Sequence, residues 1–281
     1  MFELLICLSS TSFLRNVYNC IYPLDILRIY TSLRFHTRSF FQTLVNNMHF
    51  LSTLTAVAVT VTTVNAALSS SLQQVTGFRS TPTNAKMYVY IPKNKAAKPP
   101  VIVAIHHCQG SGPGYFQETQ GYPQYADKLG YIVIYPSSPA SGGCWDVAST
   151  ASLTHNGGGD SQTIVNMVNY AVANYGADKS RVFVTGSSSG AMMTNVLAGA
   201  YPDVFKAATL YGGVPDGCFY VASAKAGMSE PAWNSQCAQG KLIKTAQQWG
   251  DQTRGYYRGY SGSRPKMLMY VNLMSITTPL T

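Results

Sequence analysis

Residues 181–202 read RVFVTGSSSGAMMTNVLAGAYP. Arg181–Thr185 is a short β-branched and aromatic run, the pattern of a strand buried in a sheet. Ser189–Ala200 holds small and apolar residues and is stopped by Pro202, the pattern of a buried helix. Between them Gly186-Ser187-Ser188-Ser189-Gly190 follows the strand directly and opens the helix. A serine that must project its hydroxyl above a sheet needs a sharp, strained strand-to-helix turn. Glycines two before and two after leave room for that turn, and Ala191 keeps the helix close. The start of a helix also favours developing negative charge. A Gly-x-Ser-x-Gly pattern is weak alone, because both residues are common. Set between strand and helix it marks Ser188 as a candidate nucleophile.

The neighbouring chain supplies a sheet around this turn. Lys86–Ile91 reads as a strand ended by Pro92, and Pro100–Ile105 (PVIVAI) as one buried on both faces. Tyr122–Leu129 reads as a helix stopped by Gly130, followed by a buried strand Tyr131–Tyr135 and a long loop over 136–159. Asp160 or Ser161 is expected to cap a helix running to Tyr175, whose Ile164, Val165, Val168, Ala171, Val172 and Tyr175 share a face. Ala207–Tyr211 is a strand, 212–240 a loop-rich excursion, Thr245–Tyr257 a helix and Lys266–Val271 a last strand. Strands alternating with helices imply an α/β class fold with a mostly parallel sheet covered on both faces. Sites in such sheets lie beyond the carboxyl ends of the strands.

Acyl transfer at Ser188 needs an oxyanion hole, a base and an acid. One amide should be that of Ser189; the second should come from the loop after PVIVAI, with Cys108 first and His107 next. Adjacent His106 and His107 make a poor chelate, so no metal is expected, and His106 is read as a hydrogen-bonded loop support. The chain has five histidines, at 36, 49, 106, 107 and 155, and none follows Ser188. In this fold the order is Ser, acid, His. The loop after the last strand, Asn272-Leu273-Met274-Ser275, holds no carboxylate. The triad acid and histidine are therefore read as absent. His155, in Thr154-His155-Asn156-Gly157-Gly158-Gly159-Asp160, is read as shaping its loop rather than serving as a substitute base, and Asp160 as a helix cap. Asp216 and Asp251 are expected at the surface without a role.

The stretch Thr76–Lys266 resembles carbohydrate esterase family one, and within it the fungal acetylxylan esterases. The likeness is carried by IHHCQGSGPGYF (105–116), YIVIYPSSPASGGCWDV (131–147), THNGGGDS (154–161), RVFVTGSSSGAMMTNVLAGAYPDVF (181–205), YGGVPDGCF (211–219) and GYSGSRPKM (259–267). It implies an α/β-hydrolase fold with Ser188 as the nucleophile. It also implies a secreted, monomeric, cofactor-free carboxylesterase that removes acetyl groups from xylan or a related plant polysaccharide. Feruloyl esterases and polyhydroxybutyrate depolymerases share the wider family and match less well. The family's last strand runs on into a His-Gly-x-x-Asp stretch carrying the acid, with the histidine further on. Here the sequence departs after Met267, as a frameshift or misread exon would make it, so residues 67–281 are expected to be an esterase domain lacking its last segment. Taken literally, such a chain is a non-catalytic product. Trp145, in Gly143-Cys144-Trp145-Asp146, is expected either to stack on a xylose ring or to pack on a disulfide. Trp233 and Trp249 are expected to be packing residues.

Composition sets the remaining bounds. Net charge is +9, with charged residues only 11% of the chain. Lys93, Lys95 and Lys98 form a cluster in a Pro-bounded turn; charge is otherwise scattered and makes no nucleic-acid stripe, although a weak attraction to acidic polysaccharide is expected. Met48 opens an apolar run, Phe50–Val64, that ends Val64-Asn65-Ala66. Residues 48–66 read as a signal peptide cleaved after Ala66, since a membrane span needs about 20 residues. Residues 1–47 lack any period and are read as a gene-boundary artefact or disordered extension, with an Arg- and Ser-rich transit peptide as the rival. Past Ala66 stand Cys108, Cys144, Cys218 and Cys237, an even number that suits an oxidising compartment. Of three pairings we favour 108–144, tying two loops at one sheet edge, and 218–237, a local closure contributing about 3 kcal/mol. Buried free thiols are the alternative.

Overall fold

The computed structural model describes residues 68–78 and 82–270. The expected leader at 48–66, the segment 1–47 and the loop at 272–275 lie outside the described residues. Elements run in the order β1 (Gln73–Val75), β2 (Lys86–Tyr90), β3 (Val101–Ile105), α1 (Gly112–Glu118), α2 (Gly121–Leu129), β4 (Ile132–Ser137) and α3 (Asp160–Tyr175). They continue with β5 (Val182–Ser187), α4 (Ser189–Ala200), β6 (Ala207–Tyr211), α5 (Ser235–Ala238), α6 (Ala246–Arg254), a 3₁₀ turn at Gly255–Tyr257 and β7 (Lys266–Tyr270).

Among the described residues seven strands form one sheet in the order β1-β2-β4-β3-β5-β6-β7. β1, β2 and β4 pair antiparallel; β4, β3, β5, β6 and β7 are parallel. β3 and β5 lie at the centre, in register Ile105 to Gly186, so their carboxyl ends deliver their loops side by side. The continuous apolar runs are explained by burial on both faces: Val101, Val103, Ala104 and Ile105 are sealed, as are Val182 and Val184.

α3 and α4 cover one face. Ile164, Met167, Val168, Met193, Val196 and Leu197 pack there, each contributing roughly 1.5–3 kcal/mol by leaving water. α1 and α2 cover the β2–β4 end of the other face through Tyr115, Phe116 and Ala126. Left-handed glycines stop the helices, Gly130 (φ 73°) after α2 and Gly176 (φ 69°) after α3. The expected cap of α3 is corrected: Gly159 is the N-cap and Asp160 the first helical residue. At the far edge β7 has no strand beyond it among the described residues, and all five of its residues are exposed. No described helix is long and apolar enough to cross a membrane.

Candidate active site

Ser188 sits at the carboxyl end of β5 with φ 52° and ψ −118°, a conformation that costs a non-glycine residue about 1–3 kcal/mol. Two hydrogen bonds hold it there. Its N–H donates to the Tyr211 carbonyl on β6 at 2.9 Å, and its carbonyl accepts from the Met192 N–H on α4 at 3.0 Å. The flanking glycines are required by close approach. A Cβ on Gly186 would lie 2.4 Å from the Gly190 carbonyl oxygen; one on Gly190 would lie 2.2 Å from that of Ile105 and 2.6 Å from that of His106. The end of β3 is therefore in backbone contact with the first turn of α4. The Ser188 side chain is exposed, and its hydroxyl makes no hydrogen bond to a described residue.

The loop after β3 is held rigidly over this turn. Gln109 (φ 62°) donates from its N–H to the Gly142 carbonyl at 2.7 Å. Disulfides join Cys108 to Cys144 and Cys218 to Cys237, the favoured pairings. The first ties the loop after β3 to the loop after β4. The Cys108 N–H carries no hydrogen bond among the described residues, and the Ser189 N–H, first in α4, has no partner within the helix. Two amide donors thus stand on the two segments that meet at Gly190.

Of the two alternatives for Trp145, the sugar-stacking one is corrected. Trp145 is 1% exposed, so neither face of its indole can receive a sugar. Its backbone N–H donates to Ser189 Oγ at 2.9 Å and its Nε1–H to the His106 carbonyl at 3.0 Å. Its ring lies 5.0 Å from the His106 ring. Trp145 is a buried peg between the loop after β3 and the start of α4. Trp233, expected inside, is 68% exposed. Trp249 is half-buried, with Lys244 Nζ 4.6 Å above its ring.

The three described histidines are engaged away from Ser188. His106 is buried; its Nε2 accepts from the Ser138 N–H at 3.0 Å, leaving Nδ1 to donate to the His107 carbonyl at 2.7 Å. Burial pushes its pKa down to about 4, so it is a neutral loop support. His107 Nδ1 lies 2.6 Å from the Cys108 carbonyl and Nε2 2.9 Å from Glu118 Oε2. The Cys108 carbonyl first, and then Glu118, raise its pKa above the ordinary histidine value. His155 Nδ1 bonds the Ala200 carbonyl at 2.8 Å, and its ring stacks on Tyr257 at 3.6 Å. Ala200 ends α4, roughly 18 Å along the helix from Ser188 at 1.5 Å per residue. His155 shapes its loop and cannot serve that serine.

The carboxylates are structural. Asp146, which sequence reasoning overlooked, accepts from the Ala148 and Ser149 N–H groups (3.1 and 2.9 Å) and from the Ser149 and Ser152 hydroxyls. Asp followed by small and hydroxyl residues is the signal that marked such a turn. Asp160 Oδ2 accepts from the Asp146 N–H at 3.0 Å, and burial pushes its carboxyl up to about 6. Asp216 is corrected from surface to interior. Its carboxylate packs against Gly199 of α4, neither oxygen has a well-formed hydrogen bond, and burial pushes it up to about 7. Asp251 is exposed, as expected, and pairs with Arg254. No three described His, Cys, Asp or Glu residues cluster to hold a metal.

Residues 86–249 match the family model described as esterase PHB depolymerase. Acetylxylan esterase A of Aspergillus awamori is 56% identical over 202 residues, 72% of this chain and 65% of its own length. Acetylxylan esterase A of Aspergillus ficuum is 51% identical over 229 residues, 81% of this chain and 74% of its own. The chain thus spans less than two thirds of the first of these relatives. A solved structure of an acetyl xylan esterase from Aspergillus awamori shares the fold with a TM-score of 0.68, covering 72% of each chain at 56% identity.

Proposed function

Because the chain belongs to the esterase PHB depolymerase family, we propose that Ser188 is the nucleophile of a secreted carboxylesterase that removes acetyl groups from xylan. The observation that carries this reading is the strained, exposed Ser188 between glycines that admit no side chain. The relatives' names supply the substrate class.

In this reading Ser188 Oγ attacks the acetyl carbonyl and loses its proton to a base, while the carbonyl oxygen takes the negative charge. The Ser189 and Cys108 amides donate to that oxygen, where one such donor is worth roughly 10²–10³ in rate. As the ester C–O bond breaks, the sugar oxygen takes that proton from the base and leaves as a hydroxyl, and water then releases acetate from the acyl-serine. No step calls on a metal or cofactor. The base and its acid come from outside the described residues. Among the described residues no imidazole reaches Ser188, and losing that group costs roughly 10⁶ in rate in a well-studied serine hydrolase. Export is supported by the leader-like run at 48–66 and by two disulfides.

The test is a chimera joining residues 67–267 to the C-terminal segment of the Aspergillus awamori relative. It is expected to release acetate from acetylated xylan, and its Ser188→Ala variant to release none. Equal release by both would remove Ser188 from the chemistry. Release of ferulate or of hydroxybutyrate instead of acetate would move the substrate to the feruloyl or polyester branch of the family.

A further inference from the structure

We propose that His107, paired with Glu118, is a positioning residue for the Cys108 amide: it holds that N–H in place as an oxyanion donor through contacts that require both of its ring nitrogens to be protonated. The catalytic part of this rests on the esterase reading above; the protonation and the contacts rest on their own geometry.

The two peptide groups that flank the Cys108 Cα are bonded at every polar atom but one. Before it, the His107 carbonyl accepts from His106 Nδ1 at 2.7 Å and from the Gly110 N–H at 3.1 Å. After it, the Cys108 carbonyl meets His107 Nδ1 at 2.6 Å, and the Gln109 N–H donates to the Gly142 carbonyl at 2.7 Å. The remaining atom is the Cys108 N–H, which has no hydrogen bond among the described residues. The turn has no slack, since a Cβ on Gly110 would lie 2.9 Å from the His107 carbonyl oxygen. The amide is thus aimed by the bonds of its neighbours, and the His107 side chain supplies one of them.

Both His107 nitrogens face acceptors: Nδ1 the Cys108 carbonyl, and Nε2 the Glu118 Oε2 at 2.9 Å. A carbonyl and a carboxylate only accept, so each nitrogen must carry a proton to bond both. Removing either proton aims a lone pair at an oxygen, and that contact is lost. The raised pKa of the ring agrees with this. The other ionisable groups beside it carry no charge near neutrality. Burial pushes His106 down to about 4 and pushes the Tyr115 hydroxyl up.

Contacts tie the pair to the elbow without reaching the serine itself. The His107 ring meets Tyr115 edge-on at 6.3 Å, and Tyr115 bonds the side chain of Ser187, the residue before Ser188. On the other side, a Cβ on Gly190 would lie 2.6 Å from the His106 carbonyl oxygen. The His107 and Glu118 side chains are 37% and 50% exposed, so water reaches the pair and its protonation follows solution pH. A cation bonded to the Cys108 carbonyl also has the sign of charge that a developing oxyanion needs.

The first experiment is NMR of the 281-residue chain, isotope-labelled at histidine and cysteine. At about pH 6 both His107 ring nitrogens are expected to carry protons, and the Cys108 amide signal should move with the titration of that ring. Glu118→Gln keeps an acceptor and removes the charge, and should lower the midpoint by about one unit. A ring nitrogen without its proton at that pH, a Cys108 amide indifferent to the titration, or an unmoved midpoint in Glu118→Gln overturns the proposal. The second experiment uses the chimera. Its kcat should fall as pH rises through the His107 titration, with KM unchanged. His107→Ala should lower kcat about tenfold at neutral pH and remove the alkaline fall. His107→Asn, whose amide donates from the place of Nδ1, should recover part of kcat and none of the pH dependence. Equal kcat in parent and His107→Ala, or an alkaline fall that survives in His107→Ala, overturns the positioning role. A chimera that releases no acetate removes the esterase reading alone, and the NMR measurement still decides how the Cys108 amide is held.

Discussion

The carboxyl end of β5 and the far edge of the sheet are one strand apart and differ in nearly every respect. At β5, Ser188 is held from β6 and α4, its glycines touch backbone, and Trp145 seals the loops beneath it. At β7, Met267, Leu268 and Met269 are 40%, 46% and 59% exposed, although their residue types suit an interior. Tyr211 and Tyr270 stack at 4.9 Å across the junction. The difference shows that the geometry of a nucleophile is set by local steric closure around a few residues. The acid–base chemistry that makes it react must be brought from further along a chain. Among the described residues the elbow is complete, while no imidazole reaches its serine.

The largest expected effect is on the closed side. Trp145→Ala should cost about 3–5 kcal/mol, because it empties a sealed site and strands the His106 carbonyl and its neighbours. Urea unfolding measures it, and a loss below about 1 kcal/mol would show that the loops are not held through this ring.

The seam between the two regions gives an effect that is present only at high pH. Burial raises the Asp216 carboxyl to about 7, whereas the unfolded carboxyl titrates near 4. As pH rises between those values the unfolded chain releases a proton that the folded chain keeps, so stability falls across that window and stays low above it. Asp216→Asn does not titrate. It should match the parent near pH 4 and exceed it by about 4 kcal/mol at pH 8, at roughly 1.4 kcal/mol per unit of the shift. Parallel stability–pH curves would place the carboxylate in water.

The smallest effect belongs to the edge. Met269→Lys should change stability by less than about 0.5 kcal/mol and reduce aggregation, because its side chain already faces solvent and lysine guards an open edge. Loss of folding would mean that β7 is buried in the molecule.

The closed region was the legible one. Arg181–Ala200 shows strand, turn and helix in succession because both neighbours are buried, and burial leaves a pattern in the residues. Three features escaped for physical reasons. α1 reads GPGYFQE, whose glycines and proline signal a loop; Ser111 caps it by accepting the Gly114 N–H at 3.1 Å. Asp216 lies in Pro215-Asp216-Gly217, a turn sequence that ordinarily faces water. The sequence leaves Trp145 open between a sugar and the interior, and Trp233, expected inside, is exposed, because an indole suits either environment and only the folded loops decide which.

The elbow is assembled, yet no imidazole among the described residues reaches Ser188. Whether any base reaches that serine is tested most directly by mass spectrometry of the 281-residue polypeptide after exposure to a fluorophosphonate probe. The account predicts that Ser188 stays unmodified on the timescale in which an intact serine esterase is fully labelled. Stoichiometric labelling of Ser188 at an ordinary enzyme rate would contradict it.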